Sequence, residues 1–202
     1  MRRPVLLLDV MDTLVHDPFY VEVLDFFGMP LEQLFANKSK TAWSEFERGH
    51  ISEAQLEARY FDDERPLDLY GLRDCMRDNY RLLPGVEALL DELVANGYAL
   101  HALSNYPMWY ELVEAATGLS RWLQWSFVSC KTQVRKPKPE AYLGAARTLG
   151  VSASECIFVD DREKNCAAAR DVGMPSIRFT DVPQLRRELL ALGVELQAPD
   201  AS

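Results

Sequence analysis

No apolar stretch in this chain approaches the roughly 20 residues that a membrane-spanning helix needs. The layout of a secretory leader is missing too. Val5-Leu6-Leu7-Leu8 is too short for an apolar signal centre, and Asp9 interrupts it. Basic charge is in deficit. The 202 residues carry a net charge of -9, whereas a nucleic-acid binder presents a basic face. Arg2-Arg3 is too short to act as a basic arm, and an acidic surface disfavours anionic membranes. The four cysteines, Cys75, Cys130, Cys156 and Cys166, are scattered without the close spacing of a metal site. They read as reduced, buried thiols. Internal repeats, low-complexity tracts and a heptad seam are absent, which leaves the oligomeric state open. The expectation is a cytoplasmic protein with neither nucleic acid nor membrane as partner.

What is present is ordinary for a globular chain: 48% hydrophobic and 26% charged residues. The length suffices for one sizeable core and a small second module. Val5-Leu6-Leu7-Leu8 reads as a strand buried on both faces. Strand-like runs recur at 98–103, 126–129, 156–159 and 176–179. Helical spacing fills the gaps at 85–95, 109–116, 139–149, 164–172 and 182–192. This alternation predicts an α/β fold, a parallel sheet covered on both faces. Residues 18–82 differ, showing helical spacing (Val21, Leu24, Phe27; Leu69, Leu72, Met76, Tyr80) and no convincing strand. They are expected to form an all-helical insertion after the first strand, with 1–17 and 83–202 making the sheet-bearing core. Hinges would then fall near Val15-His16-Asp17-Pro18 and Leu82-Leu83-Pro84. The rival reading is that these helices simply pack onto the sheet. The last residues, 197–202, are expected to fray.

Four polar clusters fall at or just after the carboxyl ends of expected strands, where open α/β sheets bind ligands. They are Asp9-Val10-Met11-Asp12-Thr13, Ser104-Asn105, Lys136-Pro137-Lys138-Pro139, and Asp160-Asp161 with Asn165 beyond. Each alone has a bland reading: a helix cap, a turn, or a solvated loop. Together they supply the parts of phosphoryl transfer. These are a carboxylate nucleophile, a hydroxyl for a phosphoryl oxygen, a lysine to neutralise charge, and further carboxylates for Mg²⁺.

In order and spacing these clusters resemble the motifs of the haloacid dehalogenase-like (HAD) hydrolase superfamily, and the resemblance covers nearly the whole chain. It implies a Rossmann-like parallel sheet with a small helical cap inserted after the first strand. It also implies roles. Asp9 resembles the nucleophile that forms an aspartyl-phosphate. Ser104 and the backbone N–H of Asn105 would bind phosphoryl oxygens, and Lys136 would bridge Asp9 and the phosphoryl group. Asp9, Asp161 and the backbone carbonyl of Met11 would hold Mg²⁺, with Asp160 acting directly or through a metal-bound water. Thr13 resembles the motif's structural threonine, and Asn165 would orient Lys136 or the metal shell. Asp12 reads as a turn residue and His16 as a polar hinge residue. Trp43, Tyr106 and Trp109 are candidate substrate contacts, although packing accounts equally for aromatics at such positions.

Met11 departs from the pattern. In phosphatases of this superfamily the residue two beyond the nucleophile is an aspartate that protonates the leaving alcohol. A thioether carries no transferable proton. Loss of a general acid costs about 10²- to 10⁴-fold in rate, or roughly 3 to 5 kcal/mol of barrier. The primary expectation is a Mg²⁺-dependent phosphomonoesterase acting on a small phosphorylated metabolite. In it a metal-bound water, Asp12, His16 or the substrate itself would replace the missing acid. Asp9-Val-Met-Asp-Thr13, Asp17-Pro-Phe-Tyr20, Ala42-Trp-Ser-Glu-Phe-Glu-Arg-Gly49 and Ser104-Asn-Tyr-Pro resemble the plant chloroplast flavin mononucleotide (FMN) hydrolase branch. That resemblance implies FMN or a related phosphate. Two alternatives remain: carbon–halogen hydrolysis, which Asp160-Asp161 opposes, and a phospho-ligand binder that has lost turnover.

Overall fold

The computed structural model describes residues 3–196. The expected frayed end, 197–202, lies outside them. Five strands form one all-parallel sheet in the order β3-β2-β1-β4-β5. They are β1 (Val5–Leu8), β2 (Leu100–Ser104), β3 (Gln124–Val128), β4 (Cys156–Asp160) and β5 (Ser176–Arg178). Every residue of β1, β2 and β4 is buried, as continuous apolar runs between two helical layers require. β1 is central, pairing Leu6 with Leu100 on one side and with Ile157 on the other. The chain builds outward from β1 through β2 to β3, then crosses back to lay β4 on the far side. That reversal opens a crevice at the carboxyl ends of β1 and β4.

The helices of the sheet-bearing part are α6 (Val86–Ala95), α7 (Tyr110–Thr117), α8 (Ser129–Thr132), α9 (Pro139–Leu149), α10 (Glu163–Asp171) and α11 (Val182–Ala191). α9 shows how local chemistry sets their limits. Pro139 opens its first turn, where the missing N–H costs nothing. Gly150 closes it in the left-handed region at φ 67°. The strand expected at 126–129 begins two residues earlier and stops at Val128. Ser129 instead starts α8, and its hydroxyl donates to the Glu47 carbonyl at 2.5 Å.

Between β1 and α6 lie α1 (Glu22–Phe27), α2 (Leu31–Asn37), α3 (Ala42–Phe46), α4 (Glu53–Arg59) and α5 (Leu69–Asn79). As expected, no strand occurs there among the described residues. Ser52 and Gln55 start α4 with a reciprocal capping box. The chain leaves and returns through two segments lying side by side. His16 N–H donates to the Arg81 carbonyl and Leu83 N–H to that of Leu14, each at 2.9 Å. Val23, Leu34, Leu56, Leu72 and Met76 share one apolar cluster with Leu6 and Leu8 of β1 and with Val10 just beyond it. A second cluster, with Leu7, Phe158, Tyr142 and Ala169, covers the opposite face. Gly49 marks a close approach between insertion and core. Its φ is 69°, and a β-carbon there would lie 2.9 Å from the Cys130 carbonyl oxygen. No helix of the described residues is long and apolar enough to cross a membrane.

Candidate active site

The sheet brings the separate clusters together. Asp9 directly follows β1, and its N–H donates to Val159 of β4 at 2.9 Å. Its carboxylate therefore sits beside Asp160, the last residue of β4. Lys136 reaches in from the loop before α9. Its ammonium lies 2.6 Å from Asp9 Oδ1 and 2.6 Å from Asp160 Oδ2, with the Phe158 ring below it at 5.2 Å. All three side chains are buried. Burial works to lower the Lys136 pKa, but Asp9 and Asp160 outweigh it and keep the lysine charged. Burial pushes Asp9 up to about 7, with Lys136 opposing and Asp160 adding to the rise.

Asp160 and Asp161 differ in what they do. Asp160 Oδ1 accepts from the Arg162 N–H and from Asn165 Nδ2, both at 2.9 Å. Its Oδ2 accepts from Lys136 at 2.6 Å and from Asn165 Nδ2 at 3.0 Å. Among the described residues the Asp161 side chain has only a loose ion pair with Arg162, at 3.7 Å. Carboxylate oxygens of Asp9, Asp160 and Asp161 lie within 4.8 Å of one another. Three hard oxygen donors at this separation suit a small divalent cation such as Mg²⁺. Asn165 bonds Asp160 rather than Lys136 itself, so it acts on the lysine one step removed.

These groups open into a cavity of about 340 Å³, which Asp9, Met11, Ser104, Lys136 and Asp161 all line. Asn105 was expected to serve through its backbone. Its side chain pins the lysine loop, accepting from Lys136 N–H at 2.8 Å and donating to its carbonyl at 2.9 Å. Thr13 is fully buried, with its hydroxyl unpartnered. Trp43 and Tyr106 line the cavity. Trp109 does not: it is buried against Phe46 and Trp43, and its indole N–H donates to Glu53 at 2.6 Å. It joins the helical insertion to the core.

The groups suggested as replacements for the missing acid are held elsewhere. Asp12 takes a left-handed turn at φ 54°, and its Oδ1 accepts from the Asp17 N–H at 3.0 Å. His16 Nε2 is bonded to Glu22 at 2.9 Å. Neither lines the cavity. Asp17 does. Burial pushes its carboxyl up to about 6, against a hydrogen bond from the Phe19 N–H. Sequence reasoning gave Asp17 no chemical role; it stood out as a hinge residue and as the start of Asp17-Pro-Phe-Tyr20. Glu47 and Arg135 were missed as well. They form an ion pair at 2.6 Å between the insertion and the lysine loop.

The model of the haloacid dehalogenase-like hydrolase family matches residues 5–173. A chloroplastic flavin mononucleotide hydrolase of Arabidopsis thaliana is 45% identical over 198 residues, covering 98% of this chain and 81% of its own. A sesquiterpene phosphatase of Aspergillus oryzae is 30% identical over 69% of this chain and 72% of its own. Among solved structures, a HAD-family enzyme of Bacteroides thetaiotaomicron superposes with a TM-score of 0.75 at 18% identity, over 93% of this chain and 100% of its own. The same enzyme has been solved with magnesium and inorganic phosphate bound. By sequence, fold and the convergence of its four polar clusters, this chain belongs to the haloacid dehalogenase-like hydrolase family, and it is a hydrolase.

Proposed function

We propose that the protein is a Mg²⁺-dependent phosphomonoesterase acting through an aspartyl-phosphate on Asp9. The observation that carries this reading is the bridging of Asp9 and Asp160 by a buried Lys136, with Asp161 beside them held only loosely by Arg162 at 3.7 Å. Asp9 Oδ attacks phosphorus, the P–O ester bond breaks, and the ester oxygen takes the Asp17 proton and leaves as an alcohol. Water then attacks phosphorus, its proton returns to Asp17, and the P–O bond to Asp9 breaks to release inorganic phosphate. Lys136 holds Asp9 in line and offsets charge on the phosphoryl oxygens. Ser104, at the end of β2, donates its hydroxyl to one of them. Asp9, Asp161 and the Met11 carbonyl are the groups we assign to the cation. When bound, it neutralises charge between nucleophile and phosphate. Asp160 is occupied with Lys136, Asn165 and the Arg162 N–H, so its part is to position the lysine. Residues 18–82 serve as a cap over the carboxyl-end crevice.

The relatives named above support a small phosphorylated substrate, and FMN is the first candidate. The functional test is phosphate release, with Mg²⁺ and with chelator, across phosphorylated metabolites including FMN, with a haloacid control. Release that depends on Mg²⁺ supports the reading. Chloride release without metal would replace it with carbon–halogen hydrolysis.

With Met11 unable to donate a proton, esters of poor leaving groups suffer most. Met11→Asp is expected to raise turnover of alkyl phosphates by about tenfold or more. It should change p-nitrophenyl phosphate, whose leaving group needs little protonation, far less. Steady-state rates on the two esters check this, and no gain on alkyl phosphates would mean that Met11 leaves no gap. Asp17 is the carboxyl we assign to the proton. Asp17→Asn is expected to lower alkyl-phosphate kcat about 10- to 100-fold and to remove the limb of the pH–rate profile near pH 6. A profile that keeps that limb would point to another donor.

A further inference from the structure

Lys38 follows directly on α2 within the helical insertion, and the residue is 8% exposed. A buried ammonium demands acceptors. None of the described residues places one within hydrogen-bonding distance of it. Aromatic faces surround it instead. Its Nζ lies 4.9 Å from the ring centre of Phe19, 5.2 Å from Trp43, 5.3 Å from Tyr60 and 5.9 Å from Phe35. Ring faces stabilise a cation but accept no conventional hydrogen bond. The two carboxylates that act on it are committed elsewhere. Glu47 pairs with Arg135 at 2.6 Å and accepts from the Trp43 indole at 2.6 Å. Asp17 accepts from the Phe19 N–H. Lys38 is thus a caged cation with unused donors.

The cage opens onto the catalytic cavity, which Lys38, Phe19, Phe35 and Trp43 line together with Asp9 and Lys136. A volume of about 340 Å³ falls in the range of pockets for substrates well beyond a bare phosphate. The phosphoryl end is accounted for by Asp9, Ser104 and Lys136. The remainder is an aromatic wall with one cation in it.

Resting on the phosphomonoesterase reading, we infer that Lys38 is the specificity residue of a leaving-group subsite. It donates to an oxygen on the edge of a planar ring, a ring carbonyl or carboxylate, while the ring lies against Phe19, Phe35 and Trp43. The oxygen satisfies donors that the protein leaves unmet, so an ester lacking it should be bound less well. FMN, whose flavin edge carries carbonyls, belongs to this class. Phenyl phosphate, a flat ring without the oxygen, does not.

The test compares wild type, Lys38→Met and Lys38→Arg with FMN and phenyl phosphate as substrates and riboflavin as a non-hydrolysable probe. Lys38→Met is expected to lower the ratio of kcat/KM for FMN to that for phenyl phosphate by about tenfold or more. The loss should fall mainly in KM. Riboflavin affinity, read by fluorescence quenching, should weaken by a similar factor, and Lys38→Arg should restore part of both. Burial holds the Lys38 pKa at about 8, with Glu47 and Asp17 opposing. Wild-type riboflavin affinity should therefore fall as pH rises through that value, whereas that of the Lys38→Arg variant should not. Equal losses on both esters, with riboflavin affinity unchanged, would overturn the inference and leave Lys38 a packing residue. If wild type releases phosphate from neither ester, the phosphatase reading fails. Riboflavin binding then decides the subsite by itself, and no binding by wild type overturns it.

Discussion

Asp9→Asn is expected to abolish phosphate release, with a loss of at least about 10⁴-fold, the scale seen when a covalent nucleophile is removed. An amide oxygen at this position is too weak a nucleophile to attack phosphorus. The fold should survive, because Asn matches Asp in shape and Lys136 keeps its bond to Asp160. Stability should even improve at neutral pH and above. Burial raises the Asp9 pKa from its unfolded value near 3.8 to about 7. The folded state therefore favours the protonated carboxyl. Its contribution is fully present below the unfolded value and is lost as pH rises through about 7. In chelator, the melting temperature of wild type should fall across that window more steeply than that of the Asp9→Asn variant. Circular dichroism melts from pH 4 to 8 measure both slopes. Equal slopes would mean that Asp9 carries no such strain, and retained turnover would remove it as nucleophile.

Lys136→Met is expected to damage both activity and stability. It leaves Asp9 and Asp160 buried beside each other with no cation between them. Removing one partner of a buried ionic pair costs about 3 to 5 kcal/mol, which for a chain of this size is roughly 10 °C in melting temperature. Phosphate release should drop about 10²- to 10³-fold, as when one charge-stabilising donor leaves an active site. Lys136→Arg should rescue little, since a planar fork does not fit a point contact shared between two carboxylates at 2.6 Å. The stability of Lys136→Met should recover as pH is lowered, because Asp9, raised to about 7, loses its charge and no longer repels Asp160. Melts at pH 5 and pH 8 check the sign. A variant as stable as wild type at pH 8 would contradict the ionic account of this centre.

Much of the fold was legible because its signals are local. β1 and the carboxyl end of β4 follow directly from unbroken apolar runs ending in aspartate, and α9 from Pro139 and Gly150. The strand order was not legible, since periodicity says nothing about which strands are neighbours. The polar cluster at the carboxyl ends of the strands was legible residue by residue, but the hydrogen bonds that tell its two neighbouring aspartates apart were not. Asp160 and Asp161 look alike in sequence and differ only because Lys136, Asn165 and the Arg162 N–H converge on one of them. Trp109 looked like a cavity residue because it follows Ser104 closely, yet the turn into α7 points it into the seam with Phe46. The reach of Asp17 and Lys38 was hidden for the opposite reason. A carboxylate at a hinge and a lysine just after a helix look solvated until distant elements enclose them in one cavity. The 42–49 segment carried a family resemblance without a reason. The structure supplies one, since Trp43, Phe46, Glu47 and Gly49 all meet the core there.

The central claim is that Asp9 itself accepts the phosphoryl group. The most direct measurement is acid quenching during turnover with Mg²⁺ and p-nitrophenyl phosphate, followed by peptide mapping by mass spectrometry. The account predicts one phosphoryl group on the peptide that contains Asp9, and none on that peptide from the Asp9→Asn variant. A phosphoryl group on another residue, or turnover with no phosphorylated peptide at any time point, would contradict it.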